Sequence, residues 1–435
     1  MQKILNYLKS KYYIKFILYI FGFGGIAIAI FFWDRAIQDS SFSDTFVFSQ
    51  TFLNTILVMM IGSIITIITI TFSTIMVVLT LYSGQFSPRT LNDFLQRKIP
   101  LNILGYFIGV SVYSIIGLAL TANYVNFNFA IFTLLAMTLF LFGIILFAYY
   151  VHYVSKSVQI NIYIDKLVKD SVNEIEKFQN KIQENDLVSL NRDEDDEKVN
   201  FDLEYHSLQT GYFNEINTKK LIAYLKENNV YITVMKPYNE HVFEDDILFK
   251  YQAKSKSFKF DEEVIEECFI FGDEPGNYNE YRNQTLKLVE IAVRALSPGI
   301  NDPATAKSCI DQLGYIFMKL SDAHYSLFYK DEDGKIRLVI KTMNYDILLY
   351  DHFYQIYLYG KQDLKIISSI IKALTRISSD SNLDMKDSLW KFATYILKDL
   401  DLKSMHEFDF HEVNYELKEL AIKSKKVEEY KKLLD

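Results

Sequence analysis

Arg294, Asn301 and Asp302 fall inside RALSPGINDPATA, residues 294–306, where a guanidinium, an amide and a carboxylate lie close to Pro298, Gly299 and Pro303. Such a set could capture an anionic head group, a nucleotide or a divalent ion, because an arginine beside a helix start favours negative charge. Local rules account for the same residues without a ligand. Pro298 disfavours helical geometry at Ser297, and Gly299 can take a positive φ. Asp302 is a strong N-cap residue, and Pro303 fits the first helical position, where its missing N–H has no partner to lose. On this reading Arg294 pairs with Glu290 or Asp302, and the string is a capped corner between a helix at 278–296 and another running on to Leu320.

A second constellation is apolar in setting. Thr55, Gly62, Thr66, Thr69, Ser73, Thr80 and Gly84 recur at helical steps along one uncharged stretch and share one face. Small and hydroxyl residues on a membrane helix make a packing seam, and the same hydroxyls can line a pore without fixing a charge. Gln85, Ser87, Pro88 and Arg89 mark the end of that helix.

Other reactive residues are sparse. His152 stands beside Tyr149, Tyr150 and Tyr153 and reads as an interfacial anchor. Cys268 and Cys309 are the only cysteines, with no CxxC or Cys/His cluster, which fits a reducing compartment and neither a disulfide framework nor a zinc site. NRDEDDEK at 191–198 lacks the spacing and turn glycine of a calcium loop and reads as a solvated linker. There is no Walker sequence, Gly-rich phosphate loop or GxSxG elbow. The expectation is therefore no catalytic residue, no metal, no cofactor and no enzyme activity.

The elements that must position these residues follow from composition. The chain has 435 residues, half of them hydrophobic, which is too long for one ordinary domain and too apolar to be wholly soluble. Residues 1–151 carry eight Lys+Arg against four Asp+Glu, whereas the whole chain carries 46 against 54. The acidic excess lies in the rest, which argues against nucleic acid as its partner. Phe16–Trp33 is an uncharged run of 18 residues, and 45–88 and 99–151 hold no Asp, Glu, Lys or Arg at all. These runs predict four spans, near 16–33, 52–82, 100–121 and 129–151, none containing an ionisable Asp, Glu, Lys, Arg or His. Lys3, Lys9, Lys11 and Lys15 precede span one, Arg89, Arg97 and Lys98 follow span two, and Asp34, Asp39 and Asp44 lie between spans one and two. The positive-inside rule then places both termini and the soluble part in the cytoplasm of a plasma (inner) membrane. Gly105, Gly109 and Gly117 make span three a packing helix.

The soluble part is expected to be α+β. Extended segments at 201–216 turn at Thr210–Gly211, Asn217 caps a helix at 218–226, and strands follow at 230–235 and 244–251. A hairpin at 325–341 turns through Asp331–Gly334, and helices are predicted at 345–358, 363–378, 386–400 and 411–434. The divisions are a transmembrane domain at 1–153, a juxtamembrane helix and acidic linker at 154–199, a small α+β domain at 200–272 and a mainly helical domain at 273–435. The fold class is a four-helix transmembrane bundle with a cytoplasmic α+β domain and a helical C-terminal part.

RALSPGINDPATA resembles the signature of a large family of uncharacterised bacterial predicted membrane proteins, as do SGQFSPRTL at 83–91, YYVHYVSKSVQ at 149–159 and QTGYFNEIN at 209–217. The family pattern at span four has paired histidines, and Tyr153 stands here in place of the second. The resemblance implies a membrane location over nearly the whole chain and no particular activity. Two function classes remain open. One is a homo-oligomeric ion channel with span two at the pore and the soluble domain as vestibule or gate. The other is a non-conducting membrane-anchored sensor or scaffold whose soluble domain binds a ligand or partner. In the first, coupling between Arg89 and Asp302 would link the corner to the membrane.

Overall fold

Apolar length dictates the first part of the chain. Helices α1 (Lys11–Ala36), α2 (Gln50–Gln85), α3 (Lys98–Thr121) and α4 (Ala130–Ser157) contain four stretches long and apolar enough to cross a membrane, Ile14–Ala36, Gln50–Leu81, Ile99–Thr121 and Ala130–Ser157. The computed structural model describes residues 11–37, 46–85, 98–124, 127–183, 188–189, 203–255, 258–274, 276, 280–320, 326–341, 344–379, 381–398, 400 and 405–434. The acidic run at 191–198 and Ser87, Pro88 and Arg89 lie outside them, as does any coupling of Arg89 to the corner. The four spans stand where the uncharged runs place them, with helix ends that reach further. At 36 residues, α2 extends about 54 Å, well beyond the roughly 30 Å hydrocarbon core.

Helix α3 is central to the bundle. Half of its membrane-length window is buried, against 17% for α1 and α2, because it packs on all three other helices. Its glycines permit that approach. A Cβ at Gly109 would sit 2.5 Å from the Phe23 ring and one at Gly117 2.6 Å from the Phe132 ring, while at Gly105 it would overlap the Tyr19 ring. Small residues on α3 thus receive aromatic rings from α1 and α4, the packing expected of them.

Asp34 departs from the sequence reading. It lies in the last turns of α1 and is 1% exposed. Its carboxylate accepts hydrogen bonds from the backbone N–H of Ile131 at 2.9 Å and of Phe132 at 2.7 Å, two donors of the first turn of α4 that have no partner within their own helix. Asp34, read from the sequence as a residue of the loop after span one, is helical and lies one position beyond the uncharged run. An uncharged run ends at the first charge, whereas a helix continues while its backbone bonds are made. Arg35, next in α1, lays its guanidinium 5.5 Å from the centre of the Tyr124 ring.

The chain divides into two compact units, Met1–Tyr163 and Ile164–Asp435. In the second, α5 (Ile160–Gln183) buries Ile164, Leu167, Ser171 and Ile175 at steps of three and four and turns its charges outward. A six-stranded sheet runs in the order β1 (Val188–Ser189), β8 (Ser326–Lys330), β9 (Ile336–Lys341), β4 (Tyr231–Val234), β6 (Ile247–Gln252) and β2 (Leu203–His206). All pairs are antiparallel except β4 and β9, which run parallel with Ile232 opposite Leu338. A second sheet has the order β5 (His241–Val242), β3 (Gly211–Ile216) and β7 (Phe269–Gly272). Helices α6 (Thr218–Asn228) and α7 (Glu262–Cys268) complete a core around Phe213, Leu225, Ile232, Phe249, Phe269 and Leu338. Asn217 caps α6 through Lys220 N–H at 3.2 Å, in the place the sequence assigns it.

Strands β8 and β9 belong to this sheet, so a division at 272/273 does not separate the strand-bearing from the helical part. A buried ion pair closes the hairpin, and its arginine ties the hairpin to the neighbouring strand. Arg337 donates to Asp331 at 2.7 Å and to Asn229 at 2.8 Å and lies over the Tyr231 ring. Burial pushes the Asp331 carboxyl up, but Arg337 and the amides of Lys335 and Asp333 outweigh it and hold it below its ordinary value.

The helical part comprises α8 (Glu280–Ala295), α9 (Pro303–Leu320), α10 (Tyr345–Leu349), a π-helical turn (Tyr350–Tyr354), α11 (Gln355–Gly360), α12 (Leu364–Ile377), α13 (Leu383–Leu397), α14 (Glu407–Lys423) and α15 (Val427–Leu434). Helix α12 is central, packed on α9 and α14, with Gly314 of α9 set against Ala373. The single helix expected at 411–434 is two. Lys425 adopts φ +59°, and Lys426 N–H bonds to Ala421 O at 2.8 Å, which closes α14 with a left-handed residue before α15 begins. Helix α8 buries Leu288, Val289, Ile291, Ala292 and Ala295, while Leu286, Val293 and Leu296 are half-buried. The buried sector is broad because α8 is covered on more than one side, by α9, the π turn and α11.

Candidate functional site

Helix α2 has two opposed edges. Its buried side chains, Leu53, Leu57, Met60, Ile64, Thr71 and Val78, lie in one line along the helix. At about 100° per residue, Thr55, Gly62, Thr66, Thr69, Ser73 and Thr80 lie in a second line about 180° away. All six are exposed, and so is Gly84. The polar stripe is therefore not a seam of this chain's own bundle; it faces away from it. The threonine hydroxyls are turned onto their own helix. Thr55, Thr66, Thr69 and Thr80 donate to the carbonyls four residues earlier at 2.7, 2.9, 2.9 and 3.0 Å. That arrangement satisfies each donor in an apolar setting and leaves an oxygen lone pair directed outward. Gln85 is the last residue of α2.

The corner at 294–306 is built from the backbone. Ile300 and Asn301 N–H both bond to Ser297 O, and Asp302 N–H reaches Ala295 O at 2.8 Å, joining the end of α8 to the start of α9. The left-handed residue is Asn301, with φ +50°, whereas Gly299 carries no positive φ and has open space around it. Asparagine tolerates that region because its short polar side chain bonds locally, so the turn needs no glycine at its tightest point. Asp302 caps α9 as the sequence predicts. Oδ1 accepts from Thr305 N–H at 3.1 Å and Oδ2 from the Thr305 hydroxyl at 2.6 Å. These two bonds from Thr305 hold its carboxyl below the ordinary carboxylate range. Both oxygens are thus engaged in the cap, and the Ser297 hydroxyl donates to Arg294 O at 2.7 Å. Pro303 opens α9, while Arg294 and Pro298 are exposed. The arrangement can hold two helices at a fixed angle.

One polar cluster escapes the sequence reading. His352, fully buried in the π turn, bonds through Nδ1 to Leu348 O at 2.8 Å and through Nε2 to the Thr285 hydroxyl of α8 at 2.9 Å. The Phe317 ring meets its edge, and burial drives its pKa down to about 4. The π turn carries both His352 and Phe353 into the core although they are adjacent in sequence, and Arg282 pairs with Asp351 at 2.7 Å at its edge. Only pairing with Thr285, far away in the chain, distinguishes this histidine from others in an aromatic helix. Among the described residues no group of three or more His, Cys, Asp or Glu is placed to hold a metal ion. Cys268 and Cys309 are free thiols, both buried, with pKa values raised by desolvation.

Residues 9–376 match the family model described as predicted membrane protein, DUF2254. The chain belongs to that family. The match takes in all four spans, the sheet and the corner, and it ends within α12, so α13, α14 and α15 lie beyond it. No curated protein and no solved structure matches the chain.

Proposed function

We propose that the protein is a homo-oligomeric ion channel of the plasma membrane, assembled with the outward stripe of α2 turned toward neighbouring copies and a central path. The observation that carries this reading is the opposition of the two edges of α2: the polar and small residues point away from the chain's own bundle, where lipid or another copy can meet them. Hydroxyls bonded to their own helix present oxygen lone pairs, which suit a passing cation. The loop charges support termini and a soluble unit on the cytoplasmic side, where the unit would form a vestibule or gate. No enzymatic step enters this reading.

Oligomeric state is the decisive measurement. Protein purified in mild detergent and analysed by light scattering or native mass spectrometry is expected as a defined oligomer, and a monomer would remove the channel reading. Recordings in planar bilayers then separate the alternatives. A current altered by Thr66→Val or Thr69→Val supports conduction along α2. An oligomer silent across voltage, tension and ionic conditions supports a membrane-anchored sensor or scaffold.

A further inference from the structure

Helix α15 is held to the soluble unit mostly by polar side chains. At eight residues it is well short of the roughly 12–15 at which a helix begins to hold by itself in water. Tyr430 is the one side chain it buries among the described residues, and its hydroxyl donates to Asn414 Oδ1 of α14 at 2.8 Å. The other ties reach α13. Lys426, just before α15, donates to Asp387 Oδ1 at 2.9 Å and to Glu429 Oε1 at 3.1 Å, and the Trp390 indole N–H donates to Glu429 Oε2 at 2.7 Å. Between the two helices lies a solvent-open cleft of about 540 Å³, whose lining includes these residues and Leu433. We infer that α15 is a latch sensitive to ionic strength, which swings as a unit on the left-handed residue Lys425 and uncovers Trp390 when electrolyte weakens the Lys426 network.

The cleft is what makes that network weak. Asp387 and Glu429 keep 63% and 53% of their side-chain surface in solvent, so ions reach both pairs. Screening shortens the reach of such charges from about 10 Å at 0.1 M salt to about 3 Å at 1 M. The Arg337–Asp331 pair, 5% and 0% exposed, is the opposite case and is shielded from salt. Because Lys425 ends α14, α15 is a separate helix and can detach without unwinding its neighbour. In the closed state Trp390 is buried. The device reads the electrolyte around the soluble unit, and it stands whether or not α2 borders an ion path.

Amide hydrogen exchange of the full-length protein in nonionic detergent tests it, because exchange from a briefly opened segment follows its opening constant. Raising KCl from about 0.05 to about 0.5 M is expected to speed exchange across residues 427–434 by about two- to tenfold. Helix α12 and the hairpin of β8 and β9 should hold their rates, which also shows that each variant is folded. Lys426→Gln should exchange fast at both concentrations and lose the salt response, since both pairs share that ammonium. Glu429→Gln keeps an acceptor for Trp390 and should lose only part of the response. In a Trp33→Phe background Trp390 is the sole tryptophan, and its quenching by acrylamide should rise when Lys426→Gln is added. Potassium glutamate at equal ionic strength should act as KCl does, and sucrose at equal osmolality should not. Salt-independent exchange at 427–434, or acceleration confined to the last turn with Trp390 still shielded, would overturn the proposal. So would millimolar inorganic phosphate matching the effect of KCl, which would make the cleft an anion site instead.

Discussion

Phe132 donates its backbone N–H to Asp34 Oδ2 at 2.7 Å, so the end of α1 caps the start of α4 across 98 residues of sequence. Removing that carboxylate leaves two helix-start amides without an acceptor in a bundle from which water is excluded. Asp34→Ala is expected to lower stability in detergent by about 2–4 kcal/mol, one to two kcal/mol for each orphaned donor. Asp34→Asn keeps one carbonyl acceptor and should recover about half. Thermal unfolding of the two variants side by side checks this; equal melting of Asp34→Ala and the parent would contradict the capping role.

Gly109 and Gly62 make a matched pair of tests. At Gly109 a side chain collides with Phe23, whereas at Gly62 nothing lies within 4 Å. Gly109→Val is expected to destabilise the bundle by about 1–3 kcal/mol through overpacking. Gly62→Val should leave the melting of a dissociated chain unchanged and alter only association between copies. Melting and sedimentation measured on both variants separate the two effects, and a stability loss at Gly62 in the dissociated chain would place the stripe inside the bundle after all.

The corner should respond to its cap and its turn separately. Asp302→Ala is expected to cost about 0.5–2 kcal/mol and Asp302→Asn far less, since asparagine also caps. Asn301→Gly should be tolerated and Asn301→Val destabilising, because a β-branched residue resists a positive φ. The lowered pKa of Asp302 gives stability that is present above the unfolded carboxylate value and lost as pH falls through the folded one. Urea titrations at stepped pH, with Asp302→Asn as the non-titrating control, read this out; an unchanged acid slope in the variant would count against it.

His352 governs a different pH window. Its folded pKa of about 4 lies below the ordinary 6.5, so the unfolded chain binds the proton first as pH falls between them. The stability tied to the neutral imidazole is complete above 6.5 and declines toward 4, by about 3 kcal/mol if the whole shift is expressed. His352→Gln is expected to flatten that decline while lowering stability at neutral pH through its poorer fit against Phe317. Unfolding midpoints between pH 7 and 4 for parent and variant provide the comparison.

Local chemistry made much of this legible from the residues alone. Uncharged runs mark four spans, Asn217 and Asp302 announce their caps, and Asp331–Gly334 announces a turn, because each depends on neighbours within a few positions. Features that depend on distant partners were not legible. Asp34 looks like a loop residue until Ile131 and Phe132 are brought to it, and His352 looks unremarkable until Thr285 arrives. The stripe on α2 was visible as a face, but only packing could reveal that Leu53, Leu57 and Ile64, not Thr66 and Thr69, turn inward. Gly299 drew attention as the residue freest to bend, while the bend fell on Asn301.

The parallel pairing of Ile232 with Leu338 sets an order of events during synthesis. Strand β4 emerges early and can pair with β6 at once, but its other edge stays bare until the ribosome has passed Lys341. In that interval α8, the corner and α9 are made, and at typical rates the wait lasts seconds. A nascent chain arrested before β9 would carry an open, apolar strand edge anchored to a membrane, so chaperone dependence should peak there and fall once the hairpin inserts.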